Sequence, residues 1–244
     1  MSVLTFTFPH LPPSYQTTTL ALFPLLPPST SSQLRSRLLA APQGTPEERA
    51  SLNYAFVDAK LITSERHLRT GLHQALLAVS KGQGGADGVE GGMRTKNAHS
   101  EVLFALHPSG NIGESIRKFG ISATTTSLLL LRVGTSPTTS QTILDEMRAL
   151  ISSSSSEGER SQELQVADLA RKGGLDSYLA QLTSWKDVET VYKIGKDADG
   201  LYGQRRAVAG QDDNKAAEQE KEVARHEWAD GVVTTIVAMK PVAA

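Results

Sequence analysis

The chain has 244 residues and a formal net charge of −1, so it lacks the overall positive charge that is typical of dedicated nucleic-acid-binding domains. It contains no cysteine, which excludes disulfide bonds and thiolate chemistry. Hydrophobic residues make up 39% of the sequence, which indicates that part of the length lies in loops. No apolar run approaches the roughly 20 residues of a membrane-spanning helix, and no signal peptide is evident. We therefore expect a soluble intracellular protein without a membrane partner.

The first eighty residues predict a β-hairpin, a third strand and two helices. Apolar residues alternate with threonine over Leu4–Phe8, and Thr17–Phe23 is expected to form the second strand of the hairpin. A helix is expected over Gln33–Ala41 and a third strand over Asn53–Asp58. The strongest helical pattern covers Lys60–Ser80, where apolar residues recur on one face.

Residues 94–133 predict a strand, a short helix and a second strand. Within Asn97–Leu106 an apolar run fills positions 102–106, and Thr126–Val133 contains four consecutive leucines at 128–131; both runs are typical of strands buried on both faces. The segment between them carries signals for both ends of a helix. Asn111 can cap the first turn, and Gly120 can supply a left-handed residue after the last.

The second half of the chain predicts further helices, including a long one at the C-terminus. We expect helices from Ser136 to Leu150, over Leu175–Leu182 and over Ser184–Tyr192. The last helix is expected over Ala216–Met239, although the β-branched residues 232–237 favour a strand by local propensity.

The last helix is predicted to divide its apolar residues between two faces. The residues expected to face the core fall at helical spacing: Trp228, Val232, Ile236 and Met239. The opposite face is expected to hold Val233, Val237 and Ala238, which would be free to contact a partner.

A search for catalytic motifs finds none that defines an active site. Gly82–Gly92 is rich in glycine, but it follows a helix and lacks the dinucleotide-binding spacing. No pair among the six histidines has the spacing of metal ligands, and no serine lies in a nucleophile-elbow motif. We therefore expect no catalytic residue, no cofactor and no metal ion.

Two basic pairs remain as candidates for binding phosphate. Arg94 and Lys96 alternate, so both would point to one side of an extended strand. Arg117 and Lys118 close the short helix, where their charges either bind phosphate or simply complement the helix dipole. If the pairs converge, they form one small positive site.

Residues 94–133 closely resemble the kinase-binding regulatory subunit of the EKC/KEOPS complex, in a fungal type. The basic, threonine-containing entry, the acidic-apolar stretch, the Asn-Ile helix start and the Phe-Gly-Ile-Ser run all match the family. The residues that carry the match are Ser100, Glu101, Val102, Leu103, Phe104, Asn111, Ile112, Lys118, Phe119, Gly120, Ile121 and Ser122.

The resemblance implies a non-catalytic subunit that binds and supports the small atypical kinase of the complex. Through that kinase it would meet the threonylcarbamoyl-transferase subunit and assist threonylcarbamoyladenosine modification of tRNA at position 37. Contact with the tRNA 3′ end is implied through Arg94, Lys96, Arg117 and Lys118, and contact with the kinase is expected around Val233, Val237 and Ala238. The family is also linked to telomere maintenance and transcription, which implies a nuclear and cytoplasmic location.

The expected fold is α+β: a central mixed sheet of about five strands, several helices and a long C-terminal helix. Residues 1–244 are expected to form a single domain with flexible insertions near 81–93, 152–162 and 196–213. Two alternatives stay open. One is a stand-alone tRNA-binding module, and the other is a small enzyme of unrecognised type that uses Glu101 or His99.

Overall fold

One antiparallel sheet forms the centre of the computed structural model, which describes residues 3–83, 92–134, 139–155, 166–170, 172–194 and 215–243. The sheet has the strand order β1-β2-β4-β3. Its strands are β1 (Leu4–Thr7), β2 (Thr17–Phe23), β3 (Ala55–Asp58) and β4 (Leu128–Val133). The predicted α+β class is confirmed, but in the described residues the sheet has four antiparallel strands rather than five in a mixed arrangement.

Nine α-helices surround the sheet in the described part of the chain. None of them is long and apolar enough to cross a membrane. They are α1 (Pro28–Ala40), α2 (Pro46–Ser51), α3 (Glu65–Gln83), α4 (Ala98–Leu106), α5 (Ile112–Phe119), α6 (Ser140–Ser153), α7 (Gly174–Leu182), α8 (Trp185–Tyr192) and α9 (Lys215–Ala243).

The sheet separates two hydrophobic clusters because neighbouring strand residues point to opposite faces. On one face, alternate residues such as Leu20 and Leu129 pack with α3, α4, α7, α8 and α9. On the other face, the intervening residues such as Phe23 and Leu130 pack with α1 and α6. The described elements therefore form a three-layer arrangement around one sheet.

The prediction of a strand at residues 97–106 is wrong, because these residues form helix α4. Most of the helix is buried, so its sequence is apolar on several sides and cannot be distinguished from a buried strand by periodicity. Asn97 caps the helix by accepting a 2.9 Å hydrogen bond from the amide of Ser100. This capping pair is the local signal that favours a helix.

Helix α5 confirms the predicted segment, with Asn111 accepting a 3.0 Å hydrogen bond from the amide of Glu114. Gly120 ends the helix, but its φ of −79° is not left-handed as predicted. The site requires glycine for another reason: a Cβ there would lie 2.5 Å from the carbonyl oxygen of Ile116. Gly120 also forms an isolated β-bridge with Val57 at the outer edge of β3.

Helix α9 confirms the long C-terminal helix in spite of its β-branched residues. Its buried stripe, however, is shifted by one residue from the prediction. Ala229, Val233 and Val237 are its most buried apolar residues, while the predicted core residues Trp228, Val232 and Ile236 pack against the same cluster but are only partly buried. Tertiary packing of this stripe against the core outweighs the local preference for a strand.

The three predicted insertions fall largely outside the described residues, at positions 84–91, 156–165 and 195–214. The expected start of the sixth helix at Ser136 also lies outside them. The described part of that helix begins at Ser140, and Thr139 caps it by accepting a 3.3 Å hydrogen bond from the amide of Thr142.

Candidate functional site

The C-terminal end of α4 is anchored to α9 by one lysine. The ammonium group of Lys240 donates hydrogen bonds to the carbonyl oxygens of Phe104 and, at 2.9 Å, of His107. It also lies 3.5 Å from the centroid of the Phe104 ring, in a cation–π contact. Burial lowers the pKa of Lys240 to about 8, although the charge of Glu101 opposes this shift. The Phe104 carbonyl oxygen also accepts a 3.3 Å hydrogen bond from the amide of His107, so the cation adds to the hydrogen bonds that end α4.

The N-terminal end of α4 holds the basic loop, by which we mean residues 93–96. The buried carboxylate of Glu101 accepts hydrogen bonds from the amides of Arg94 and Thr95, at 3.1 and 2.9 Å, and from the hydroxyl of Thr95 at 2.7 Å. Fixing the backbone in this way leaves the side chains of Arg94 and Lys96 exposed to solvent. Residues 93–96 form a loop and not a strand, so the prediction that strand geometry points Arg94 and Lys96 to one side is wrong.

The second basic pair lies at the end of α5. Arg117 is exposed and forms a two-point ion pair with Glu114, at 3.2 and 2.5 Å. Lys118 is half-buried. Burial lowers the pKa of His107, and the positive charges of Lys240 and Lys118 lower it further. Lys118 therefore lies near the C-terminal end of α4.

The two predicted basic pairs consequently sit at opposite ends of α4. Nine residues of α-helix extend about 13 Å. The four cations therefore belong to two separate elements that flank α4, the basic loop and the last turn of α5.

The predicted partner face of α9 is misplaced. Val233 and Val237 are fully buried in the core, while Ala238 is half-buried and its carbonyl oxygen accepts a 3.2 Å hydrogen bond from Gln74. The one-residue shift of the buried stripe explains the difference, because one residue rotates a helix by about 100°. Met239, which was expected to face the core, is 53% exposed.

Helix α5 presents an apolar stripe to solvent, which we call the α5 stripe: Ile112 and Ile116. These residues are one helical turn apart and are 38% and 48% exposed. The buried side of the same helix holds Phe119 and also Ser115, whose hydroxyl donates a 2.8 Å hydrogen bond to the carbonyl oxygen of Asn111. Because its two exposed isoleucines are neighbours on one face, the α5 stripe is a candidate surface for binding a partner.

The two residues of the enzyme alternative are occupied by structural contacts. The Glu101 carboxylate holds the basic loop, as described above. His99 is buried and accepts a 3.3 Å hydrogen bond at Nε2 from the amide of Val133. Burial, together with the charge of Arg132, lowers the pKa of His99 to about 4. Both side chains thus connect α4 to neighbouring backbone.

A comparison with protein families identifies the chain. The family model described as kinase binding protein CGI-121 matches residues 29–241. The chain belongs to the CGI-121 kinase-binding protein family.

Several curated members of the CGI-121 family are similar to this chain. A protein of Aspergillus fumigatus named EKC/KEOPS complex subunit cgi121 is 34% identical over 133 residues, which cover 54% of this chain and 60% of that protein. A protein of Cryptococcus neoformans named EKC/KEOPS complex subunit CGI121 is 27% identical over 237 residues, covering 84% of this chain and 95% of that protein. The corresponding Yarrowia lipolytica protein is 35% identical over 104 residues, or 43% and 52% of the two chains.

The Phe-Gly-Ile-Ser run of this CGI-121 member has a structural role. Phe119 is buried in the cluster on one face of the sheet, and Ile121 packs against the cluster on the other face. Gly120 passes between them and pairs with Val57 at the sheet edge. The most recognisable part of the sequence therefore sets the position of α5, and with it the α5 stripe.

Sequence reasoning missed the anchoring role of Lys240 and the exposure of the α5 stripe. A lysine in the last turn of a helix signals only a favourable dipole interaction, and its long-range contact with α4 has no local signature. The sequence does show two isoleucines four residues apart, a spacing that places them on one face of a helix. Which side of α5 faces the core depends on the packing of Phe119.

Proposed function

We propose that this protein is a non-catalytic subunit of an EKC/KEOPS complex, where it binds and supports the small atypical kinase. The membership of residues 29–241 in a kinase-binding family carries this proposal, and the names of the fungal relatives supply the complex. The role extends to threonylcarbamoyladenosine modification of tRNA, with the threonylcarbamoyl-transferase subunit reached through the kinase. Location in the nucleus and cytoplasm belongs to the same proposal, as do the links to telomere maintenance and transcription.

We assign the kinase contact to the α5 stripe together with Met239. Ile112 follows the end of α4 by a few residues, and Met239 precedes Lys240, which is anchored at the same end of α4. We propose that these three exposed apolar side chains together form the desolvated centre that a protein interface needs. This assignment keeps the proposed contact beside α9 but moves it away from Val233 and Val237, which are buried.

Exchange of Ile116 for arginine tests this assignment. The side chain is nearly half exposed, so Ile116→Arg should leave the fold intact while placing a charge in the apolar interface. We expect the affinity for the purified kinase subunit to fall by at least about tenfold, as for a hot-spot residue. Binding is measured by titration calorimetry, and folding is checked by the thermal unfolding midpoint.

Leu39→Arg is the matched control for this experiment. Leu39 is 67% exposed on α1, and α1 packs on the opposite face of the sheet from α5 and α9. The same chemical change there should leave kinase binding unaltered. Equal losses in both variants, or no loss in Ile116→Arg, would contradict the assigned surface, while failure of the unchanged protein to bind the kinase would contradict the proposed function itself.

We propose that tRNA contact involves the basic loop and the end of α5. Arg94 and Lys96 are exposed at a loop whose backbone is already fixed by Glu101, so phosphate binding does not have to order it. Arg117 is partly neutralised by Glu114, which makes Lys118 the stronger cation of its pair. We therefore expect Arg94, Lys96 and Lys118 to contribute more than Arg117.

The salt dependence of tRNA binding distinguishes phosphate contacts from a general charge effect. The double variant Arg94→Glu and Lys96→Glu should weaken binding and reduce the slope of log K against log salt by about 1 to 2. Arg35→Glu combined with Arg49→Glu is the control, because it makes the same change in net charge at exposed positions elsewhere. An equal reduction in both double variants would refute a local site.

A further inference from the structure

Two histidines that are 63 positions apart in the sequence meet at the surface. The Nε2 atoms of His10 and His73 lie 2.7 Å apart. His10 belongs to the connection between β1 and β2, and His73 lies in the middle of α3. Sequence reasoning considered only histidines close in the chain, so this pair was not foreseen.

Both rings are held by surrounding contacts. The side-chain amide of Gln16 donates hydrogen bonds to the carbonyl oxygens of Pro9 and Leu11, at 3.2 and 2.9 Å, and so fixes the backbone on both sides of His10. The ring of Phe8 stacks on His73, with centroids 5.3 Å apart and an interplanar angle of 19°. The facing nitrogen atoms are therefore preorganised by the loop and by α3.

The two facing nitrogens are hydrogen-bonded to each other, at a spacing somewhat shorter than that of two nitrogens bound to one metal ion. When both imidazoles are neutral, one ring donates its N–H and the other accepts it with the lone pair of its Nε2 atom. Metal–nitrogen distances of 2.0–2.1 Å at a tetrahedral angle place two imidazole nitrogens about 3.4 Å apart. If the exposed His10 ring turns outward so that its Nε2 atom moves by about 0.7 Å, the two nitrogens reach this spacing.

We propose that His10 and His73 form a binding site for a divalent transition-metal ion such as Zn²⁺, which ties the β1–β2 connection to α3. In the described residues no group of three or more potential ligands exists, so water completes the coordination. Imidazole nitrogen suits zinc, copper and nickel among the first-row metals. The site lies away from α4 and α5 in the sequence and does not depend on the proposed kinase and tRNA contacts.

The charges around the pair set the expected strength of metal binding. The guanidinium group of Arg69 lies 5.8 Å from the centroid of the Phe8 ring, which itself stacks on His73. Burial lowers the pKa of His73, and the charges of His10 and Arg69 lower it further. These effects disfavour the protonated form of the His73 ring, which carries a proton on both nitrogens and cannot bind a metal ion, but the charge of Arg69 also repels a bound dication.

Zinc titration of the full chain tests the proposal. We expect one zinc ion to bind by calorimetry, and the side-chain ¹⁵N signals of both histidines to shift together in NMR spectra. With zinc at about ten times its dissociation constant, the thermal midpoint should rise by about 3–6 °C. His10→Ala and His73→Ala should each abolish the bound ion and the shift in midpoint.

Two further variants separate this site from adventitious binding. His226→Ala removes a partly exposed histidine of α9 and should leave zinc binding unchanged. Arg69→Gln removes the repulsive charge and should tighten binding by about threefold. Absence of zinc binding at millimolar concentration, or full retention of binding in His10→Ala, would overturn the proposal.

Discussion

The phenol oxygen of Tyr192 in α8 lies 3.0 Å from Nε2 of His67 in α3. Tyr192 also donates a 2.6 Å hydrogen bond to the carbonyl oxygen of Leu106, the last residue of α4. Its oxygen therefore accepts from His67, which must carry its proton on Nε2 and accept the amide of Thr63 at Nδ1. The network continues from Thr63 to Asp230 in α9 through a 2.6 Å hydrogen bond. Four helices are thus joined by one chain of buried polar groups.

Removal of the Tyr192 hydroxyl should destabilise the fold. Tyr192→Phe leaves the His67 Nε2–H and the Leu106 carbonyl oxygen buried without a partner, so we expect a loss of about 1–3 kcal/mol in the free energy of unfolding. Urea denaturation measures this quantity. Tyr178→Phe is the control, because the Tyr178 hydroxyl accepts a 3.1 Å hydrogen bond from an exposed amide and its loss should cost less than about 1 kcal/mol. Equal costs for both variants would contradict the network.

Acid should destabilise the protein through His67. Burial lowers the pKa of His67 to about 4, from 6.5 in the unfolded chain. Between these two pH values the unfolded state binds more protons, so stability is full above pH 6.5 and is lost as the pH falls towards 4. The loss for this one group is about 3 kcal/mol. The measurement is the free energy of unfolding as a function of pH.

The variant His67→Gln isolates this contribution from the other groups that titrate in the same range. His99 has a similarly lowered pKa, to about 4, and remains in the variant. Replacing His67 should therefore reduce the slope of stability against pH by about 1.4 kcal/mol per pH unit and leave the remaining slope in place. An unchanged slope would show that His67 is already accessible to protons in the folded state.

Most elements of the fold could be predicted from local patterns in the sequence. The hairpin, β3, β4, α3, α5 and the long C-terminal helix follow from local periodicity and capping residues, and all are present. Helix α4 was mistaken for a strand because a helix that is buried on several sides loses its periodicity. In α9 the pattern located the helix but not its orientation, since Trp228 and Val233 are both apolar and only packing selects between them.

The candidate site was less predictable than the fold because it depends on long-range contacts. Lys240 reaches Phe104 across 136 positions, and Tyr192 reaches His67 across 125. Neither partner can be found from spacing along the chain. Residues whose role is local, such as the capping Asn111, were predicted correctly.

Two buried threonines should respond in opposite ways to the same substitution. The Thr18 hydroxyl finds no hydrogen-bond partner in the described structure, whereas that of Thr125 donates to the buried carboxylate of Asp58 at 2.7 Å. Thr18→Val should therefore be neutral or stabilising by up to about 1 kcal/mol, and Thr125→Val should cost about 1.5–3 kcal/mol. Both free energies come from urea denaturation. A substantial loss in Thr18→Val would show that its hydroxyl is satisfied in solution.

The packing of α3 against α4 and α9 should depend on the absence of a side chain at Gly71. A Cβ there would lie 2.5 Å from Cδ2 of Leu106 and 3.7 Å from Cγ1 of Val237. Gly71→Ala gains about 0.5–1 kcal/mol of helix propensity but forces a fully buried leucine to move. Overpacking of this kind costs about 1–3 kcal/mol, so we expect a net loss of stability.

Gly231→Ala in α9 is the matched control, because a Cβ at that position meets no atom within 4 Å. There the gain in helix propensity is unopposed, and the variant should be more stable by about 0.5–1 kcal/mol. Both glycines lie inside long helices, so both substitutions should gain a similar helix propensity. A loss of stability at Gly71 and a gain at Gly231 would therefore isolate the effect of steric packing. A double-mutant cycle with Leu106→Ala completes the test: the cost of Gly71→Ala should largely vanish when Leu106 is shortened. If that cost persists, the strain at Gly71 arises from the α3 backbone rather than from contact with α4.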